Sequence, residues 1–353
     1  MISRVADSCF WLYRYMERAE SCSRLVSVNR LVSLDAGIES AERWKPVIVV
    51  LGEQARFEEL IGPDLYHDDQ AAEHYLTWDE RNSVSIRSSL YWARENARMI
   101  REVISREMWE TLNTAWQWFS GKPAQRDYRK DRDQFYGRIR SLCAEFWGIA
   151  DSSMLHEEPF DFMLLGMALE RANQTARLMD VKHHRIRNPE RETGETPWQS
   201  AQWVSQLKLC AAEESFFKRH RAAPTGRRVA DFLLRDPSFP RSVVHCLDRA
   251  AQLIRRIQTA AERGAPTASL EAVEATLFRL RAARLSTGIQ SGLHEELTRV
   301  VETAAIVGDH LHREFFDPTE EPEQSSPVQS QTQTQTAEQT QSQTESQSQS
   351  REA

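Results

Sequence analysis

Two short stretches of the chain set one carboxylate and two guanidinium groups at the same relative positions. Glu17-Arg18-Ala19 is followed by Arg24-Leu25 and Val28, and 153 residues later Glu170-Arg171-Ala172 is followed by Arg177-Leu178 and Val181. A weaker echo stands at Asp248-Arg249-Ala250 with Arg255. Six identities at matching spacing point to internal duplication with a helix as the repeated unit. Residues seven apart on a helix return to within about 20°, so Glu17 and Arg24 share one face, roughly 10.5 Å apart, too far to pair directly. Phe10 and Leu31 extend that face as a partly apolar stripe, and Tyr13 lies one turn before Glu17. Charges in such a stripe either pair across a helix interface, because buried charges without partners are costly, or line a polar pocket for an anionic or zwitterionic ligand. Antiparallel packing of the two copies would let Glu17 meet Arg177 while Glu170 meets Arg24. That reciprocal arrangement is the expectation.

A second set lies mid-chain. Arg94, Glu95 and Arg98 fall within about a turn, with Tyr91 one turn before Arg94, and two arginines on one face can clamp a carboxylate or phosphate. The same spacing also fits a solvated charge ladder. Trp109, Trp116 and Trp118 follow on the next stretch and read best as core.

Other chemistries lack their signatures. Gly121-Lys122 runs into Pro123 with no partner glycine upstream, so there is no phosphate-cradling loop. Neither a G-x-S-x-G elbow nor an H-E-x-x-H pair occurs. No glutamate has a histidine three residues later, as a helical di-metal site requires; aspartate does at Asp64/His67, Asp180/His183 and Asp309/His312, without accompanying glutamates. His310, His312 and Glu314 gather near a helix end, where histidines commonly complement exposed carbonyls. No metal or cofactor is expected.

The stretches ISRVADSCFWLYRYMERAE, SSLYWARENARMIREVISREMWETLN, LLGMALERANQTARLMDVK and DPSFPRSVVHCL, in that order, resemble the alpha-E family, a bacterial all-helical family named for its Glu-Arg motif. The resemblance covers roughly residues 1–316 and marks Phe239, Pro240, Arg241 and Ser242 as a further structural motif. It implies an accessory or scaffold role in ATP-dependent amide or peptide ligation or processing. The implied partners are a circularly permuted ATP-grasp protein, acting in trans, and a transglutaminase-like or peptidase-like protein. Catalysis by this chain alone is not expected. The alternative is an enzyme or ligand-binding protein with a polar Glu/Arg pocket between the two motif helices.

The elements that must position these residues are helices. Sparse glycine and proline, apolar residues at helical spacing and almost no β-branched alternation predict an all-α, multi-helix bundle over 1–317, with a break near 187–197 if it divides into two halves. Helices are expected at Ser3–Leu34, from Lys45-Pro46 to Gly62-Pro63, Asp69–Leu76, Ser83–Phe119 with a break near Ser105, Arg126–Met154, Pro159–Arg185, Trp198–His220, Arg227–Leu234, Pro240–Arg263, Leu270–Ser286 and Ser291–Phe316. Residues 318–353 are nearly all Gln, Ser, Thr, Glu and Pro, a composition that cannot offset its ordering entropy and predicts disorder. Of the net charge of −7, five units belong to that tail, so the helical part is nearly neutral. Basic and acidic residues alternate along it, which excludes a nucleic-acid footprint. Five cysteines without a C-x-x-C pair read as reduced thiols. With no signal peptide and no apolar run long enough to span a bilayer, a cytoplasmic protein without membrane contact is expected.

Overall fold

Serine, threonine and aspartate side chains set where six of the helices begin. A computed structural model describes residues 3–36, 44–185, 197–261, 267–282 and 289–317. Within them lie fifteen α-helices and no strand. These are α1 Ser3–Ala36, α2 Lys45–Val50, α3 Gln54–Leu60, α4 Asp69–Thr77, α5 Ile86–Met99, α6 Arg106–Ser120, α7 Lys122–Lys130 and α8 Arg132–Ser153. There follow α9 Glu158–Arg185, α10 Pro197–Leu209, α11 Glu213–His220, α12 Gly226–Arg235, α13 Val243–Ala260, α14 Ala268–Ala282 and α15 Ile289–Leu311. Asp68, Ser85, Ser105, Asp131, Thr225 and Ser242 each accept from a backbone N–H of the first turn that follows, satisfying donors the helix itself cannot reach.

The all-α expectation holds, and the boundaries shift where local caps intervene. The helix expected from Lys45 to Gly62 is two, because Gly52 adopts φ +78° and lets the chain close α2 with Gly52 N–H donating to Val49 O at 2.9 Å. The stretch from Ser83 breaks at Met99, and Ser105 starts α6 afresh. Asp131 divides the helix expected at Arg126–Met154, and a positive φ at Ala211 lies between α10 and α11. The loop expected near 187–197 lies almost wholly outside the described residues, and the tail expected at 318–353 lies entirely outside them.

Two helices organise the interior. α1 packs along α9, α5 and α8, while α9 packs along α13, α15 and α2. Their buried faces carry Phe10, Tyr13, Met16 and Leu25 on α1 and Phe162, Leu165, Leu169 and Leu178 on α9. Leu31, placed on the α1 stripe by its spacing, is instead 45% exposed, so the buried stripe stops short of it. Trp78 stacks on Phe119 at 4.8 Å and meets Phe135 and Tyr128, tying α4, α6, α7 and α8 together. Trp118 is buried and Trp109 and Trp116 are partly buried against the same core. Glu314 accepts from the Ser269 N–H at 2.9 Å and so caps the start of α14.

The direction of α1 relative to α9 decides what the motif can do. Phe10 and Phe162 both lean on Phe316, with ring centroids 5.4 and 5.8 Å away. Further along, Gly166 lies against Phe10, Arg14 and Arg18 reach Glu170, and Arg171 reaches Glu17. Contacts that advance together along both chains mean parallel helices. The antiparallel expectation is therefore wrong.

Candidate functional site: a buried Glu-Arg network

Glu17 and Glu170 are fully buried, and the duplicated motif meets itself across the α1–α9 interface. Arg18 donates through Nε to Glu170 Oε1 and through Nη2 to Oε2, both at 3.0 Å. Arg171 donates through Nε to Glu17 Oε2 at 2.9 Å. The pairing is reciprocal, as the duplication suggested, but its arginines are those adjacent to the glutamates and not Arg24 and Arg177. With the helices parallel, the two glutamates lie at the same level of the interface. The neighbouring arginine, about 100° round the helix, is long enough to reach across.

Arg24 and Arg177 turn back along their own helices. Arg24 pairs with Glu20 one turn earlier, its Nε donating to Glu20 Oε1 at 3.1 Å. Arg177 does the same toward Asn173 Oδ1 at 3.1 Å, and its Nη1 donates to Val50 O at 2.7 Å, next to Gly52. Glu20 and Asn173 stand at equivalent positions of the two copies, so the duplication extends to these i,i+4 pairs.

Three further groups complete the set. Arg14 Nε donates to Glu170 Oε2 at 2.9 Å, and Gln174 Nε2 donates to Glu170 Oε1 at 2.9 Å. Arg241 donates to Glu17 Oε1 at 2.7 Å and to Glu20 Oε2 at 3.1 Å. Both oxygens of Glu17, Glu20 and Glu170 are thus engaged. Burial alone would raise the Glu170 carboxyl, but Arg18 and Arg14 outweigh it and hold the group well below the usual carboxylate range. Glu20 is likewise lowered, burial being outweighed by Arg241 and Arg24, and Arg241 is raised by Glu17 and Glu20 against its own burial.

The corner before α13 is shaped to deliver Arg241. Asp236 accepts from the backbone of Ser238 and Phe239, Phe239 stacks on Phe232 at 4.8 Å, and Ser242 caps α13. Thr175 Oγ1 donates to Arg241 O at 2.8 Å, fastening the corner to α9. Pro240 is exposed, and its carbonyl accepts from Cys246 Sγ at 3.5 Å. Arg94, Glu95 and Arg98 stand apart on α5: Arg94 and Arg98 both close on Glu95, at 2.8 and 2.9 Å, and Arg94 also donates to Asn113. Among the described residues no cluster of His, Cys, Asp and Glu could hold a metal; Asp180 meets His294 at 2.7 Å. Sequence reasoning missed Arg14, Glu20, Asn173 and Gln174. The i,i+4 spacings Arg14–Arg18 and Glu20–Arg24 were the available signal, whereas nothing in the sequence brings Arg241 to Glu17.

A family described as "a predicted alpha-helical domain with a conserved ER motif" matches residues 1–316. The chain belongs to the Alpha-E family. Uncharacterised proteins of Mycobacterium bovis and Mycobacterium tuberculosis are 24% identical to this Alpha-E chain over 315 residues, covering 84% of it and 35% of their own length. A second Mycobacterium tuberculosis strain contributes one at 23% identity over the same length. The chain thus spans about a third of the curated relatives it matches. No solved structure matches it. Among the described residues no helix is long and apolar enough to cross a membrane.

Proposed function

We propose that this Alpha-E chain is a non-catalytic helical scaffold that serves an amide- or peptide-forming ligase of the ATP-grasp type. The saturation of Glu17, Glu20 and Glu170 carries the reading. Every oxygen of these carboxylates accepts from an arginine or a glutamine, and Glu170 and Glu20 are held ionised below the usual range. A general base works best with a pKa near the operating pH, and an acid needs a proton to give, so these carboxylates suit register-fixing better than proton transfer. The relatives' much greater length supports a partner role, since two thirds of those chains lies outside the matched region.

The test is co-expression of the full chain with an ATP-grasp protein encoded in the same genome, followed by affinity capture and ATP-dependent ligation assays. Capture of the pair, with ligation that requires this chain and survives Glu95→Gln, is the expected result. Ligation or hydrolysis by this chain alone, abolished by Glu17→Gln with folding intact, would overturn the scaffold reading. It would favour an active pocket between the motif helices instead.

A further inference from the structure

The two copies of the motif helix differ on one face. An offset of 153 residues matches Trp11, Arg14, Tyr15 and Arg18 of α1 with Leu164, Met167, Ala168 and Arg171 of α9. On α1 the large side chains close the surface: Arg14 lies over Trp11 at 4.7 Å and Arg18 over Tyr15 at 5.5 Å. On α9 Leu164, Met167 and Ala168 are smaller and leave a cleft of about 160 Å³ between α9, α13 and the corner that carries Arg241, while Arg171, like Arg18, lies over a ring, that of Trp147, at 5.2 Å.

The charge lining this cleft has one sign. Arg171 and Arg249 face it beside the His245 ring, and no carboxylate does. Arg171 uses only Nε on Glu17, and its terminal nitrogens donate to nothing among the described residues. Arg249, from the third echo of the motif, makes no hydrogen bond or ion pair there; Asp161, the acid its charge acts upon, lies outside the lining. His245 donates Nδ1 to Pro237 O at 2.8 Å, which fixes the ring. The rest of the wall is largely apolar, with Leu164, Met167 and Ala168 on one side. A water occupies about 30 Å³ of liquid, so the space fits a carboxylate on a short side chain and is too small for a nucleotide.

We propose that this cleft binds an α-carboxylate, that of a peptide C-terminus or a free amino acid with a small apolar side chain, between Arg171 and Arg249. The site shares Arg171 with the Glu17 pairing but uses its other nitrogens, and it does not rest on the ligase reading.

The test titrates the full chain with N-acetyl-Ala-Ala, its C-terminal amide, alanine and inorganic phosphate, read by calorimetry or amide chemical shifts. Saturable binding of the free-acid dipeptide, at least roughly tenfold weaker for the amide, is expected, because a charge-assisted bond is lost. Alanine binding without dipeptide binding would assign the free amino acid as the source. Arg249→Gln should weaken binding by about tenfold or more with little change in melting temperature, since Arg249 makes no hydrogen bond or ion pair among the described residues and acts on Asp161 through its charge alone. Ala168→Tyr, which restores the α1 residue, should block the site. No saturable carboxylate binding at millimolar concentration, a preference for phosphate, or undiminished binding by the Arg249 variant would each overturn the assignment.

Discussion

Arg18 grips both oxygens of Glu170, whereas Arg171 reaches a single oxygen of Glu17 and leaves the other to Arg241. The first copy's carboxylate, Glu17, is therefore completed by a residue outside both motif helices. That asymmetry ties the α12–α13 corner to the interface between α1 and α9.

Glu170→Gln should destabilise the chain by about 3–5 kcal/mol, because it leaves the partly buried Arg14 and Arg18 without a counter-charge. Denaturant unfolding measures it. A loss below about 1 kcal/mol, as for exposed pairs, would show that the network is solvated.

Acid should weaken the fold in a window set by the same carboxylates. Glu170 and Glu20 have folded pKa values below their unfolded ones. Their stabilisation is complete above the ordinary carboxylate value of about 4.3 and is lost as pH falls through that value toward the folded ones. Urea midpoints between about pH 5 and 3 should fall more steeply for the native chain than for Glu170→Gln. Parallel slopes would contradict the lowered pKa of Glu170.

Gly166→Ala tests the close approach of α1 and α9. A Cβ at this position would lie 2.2 Å from the Phe10 carbonyl oxygen, a backbone atom that no rotamer change can move. Alanine normally favours a helix by about 1 kcal/mol over glycine. Here overpacking should win and cost roughly 1–3 kcal/mol. A rise in melting temperature would mean that the helices part more easily than their packing implies.

All five cysteines are buried, and burial pushes the thiols of Cys9, Cys22, Cys210 and Cys246 up to about 12. The thiolate is the reactive form, so the native chain at neutral pH should resist a disulfide-exchange reagent and release five equivalents only when denatured. Fast labelling of any one under native conditions would reveal local opening around it.

Helix content and the motif were legible because apolar periodicity and serine or aspartate caps are local signals, readable one turn at a time. The breaks at Gly52 and Asp131 were less so, since both residues sit inside periodic stretches and act through backbone geometry. The reciprocity of the network was also legible, because a duplicated carboxylate must find a duplicated cation. Which arginine it finds was not: Arg24 and Arg18 are both within reach of a facing helix, and helix direction decides between them. Arg241 lies 224 residues from Glu17, and only the tertiary fold brings them together.

Parallel alignment of the two copies carries one more consequence. Contacts in which Glu17 meets Arg171 and Arg18 meets Glu170 have the form of an isologous interface, the self-complementary patch that two identical subunits share about a two-fold axis. Joined in one polypeptide, the halves no longer need to remain identical. Trp11 of one copy can become Leu164 in the other and Tyr15 can become Ala168, and one flank can open while the other stays shut.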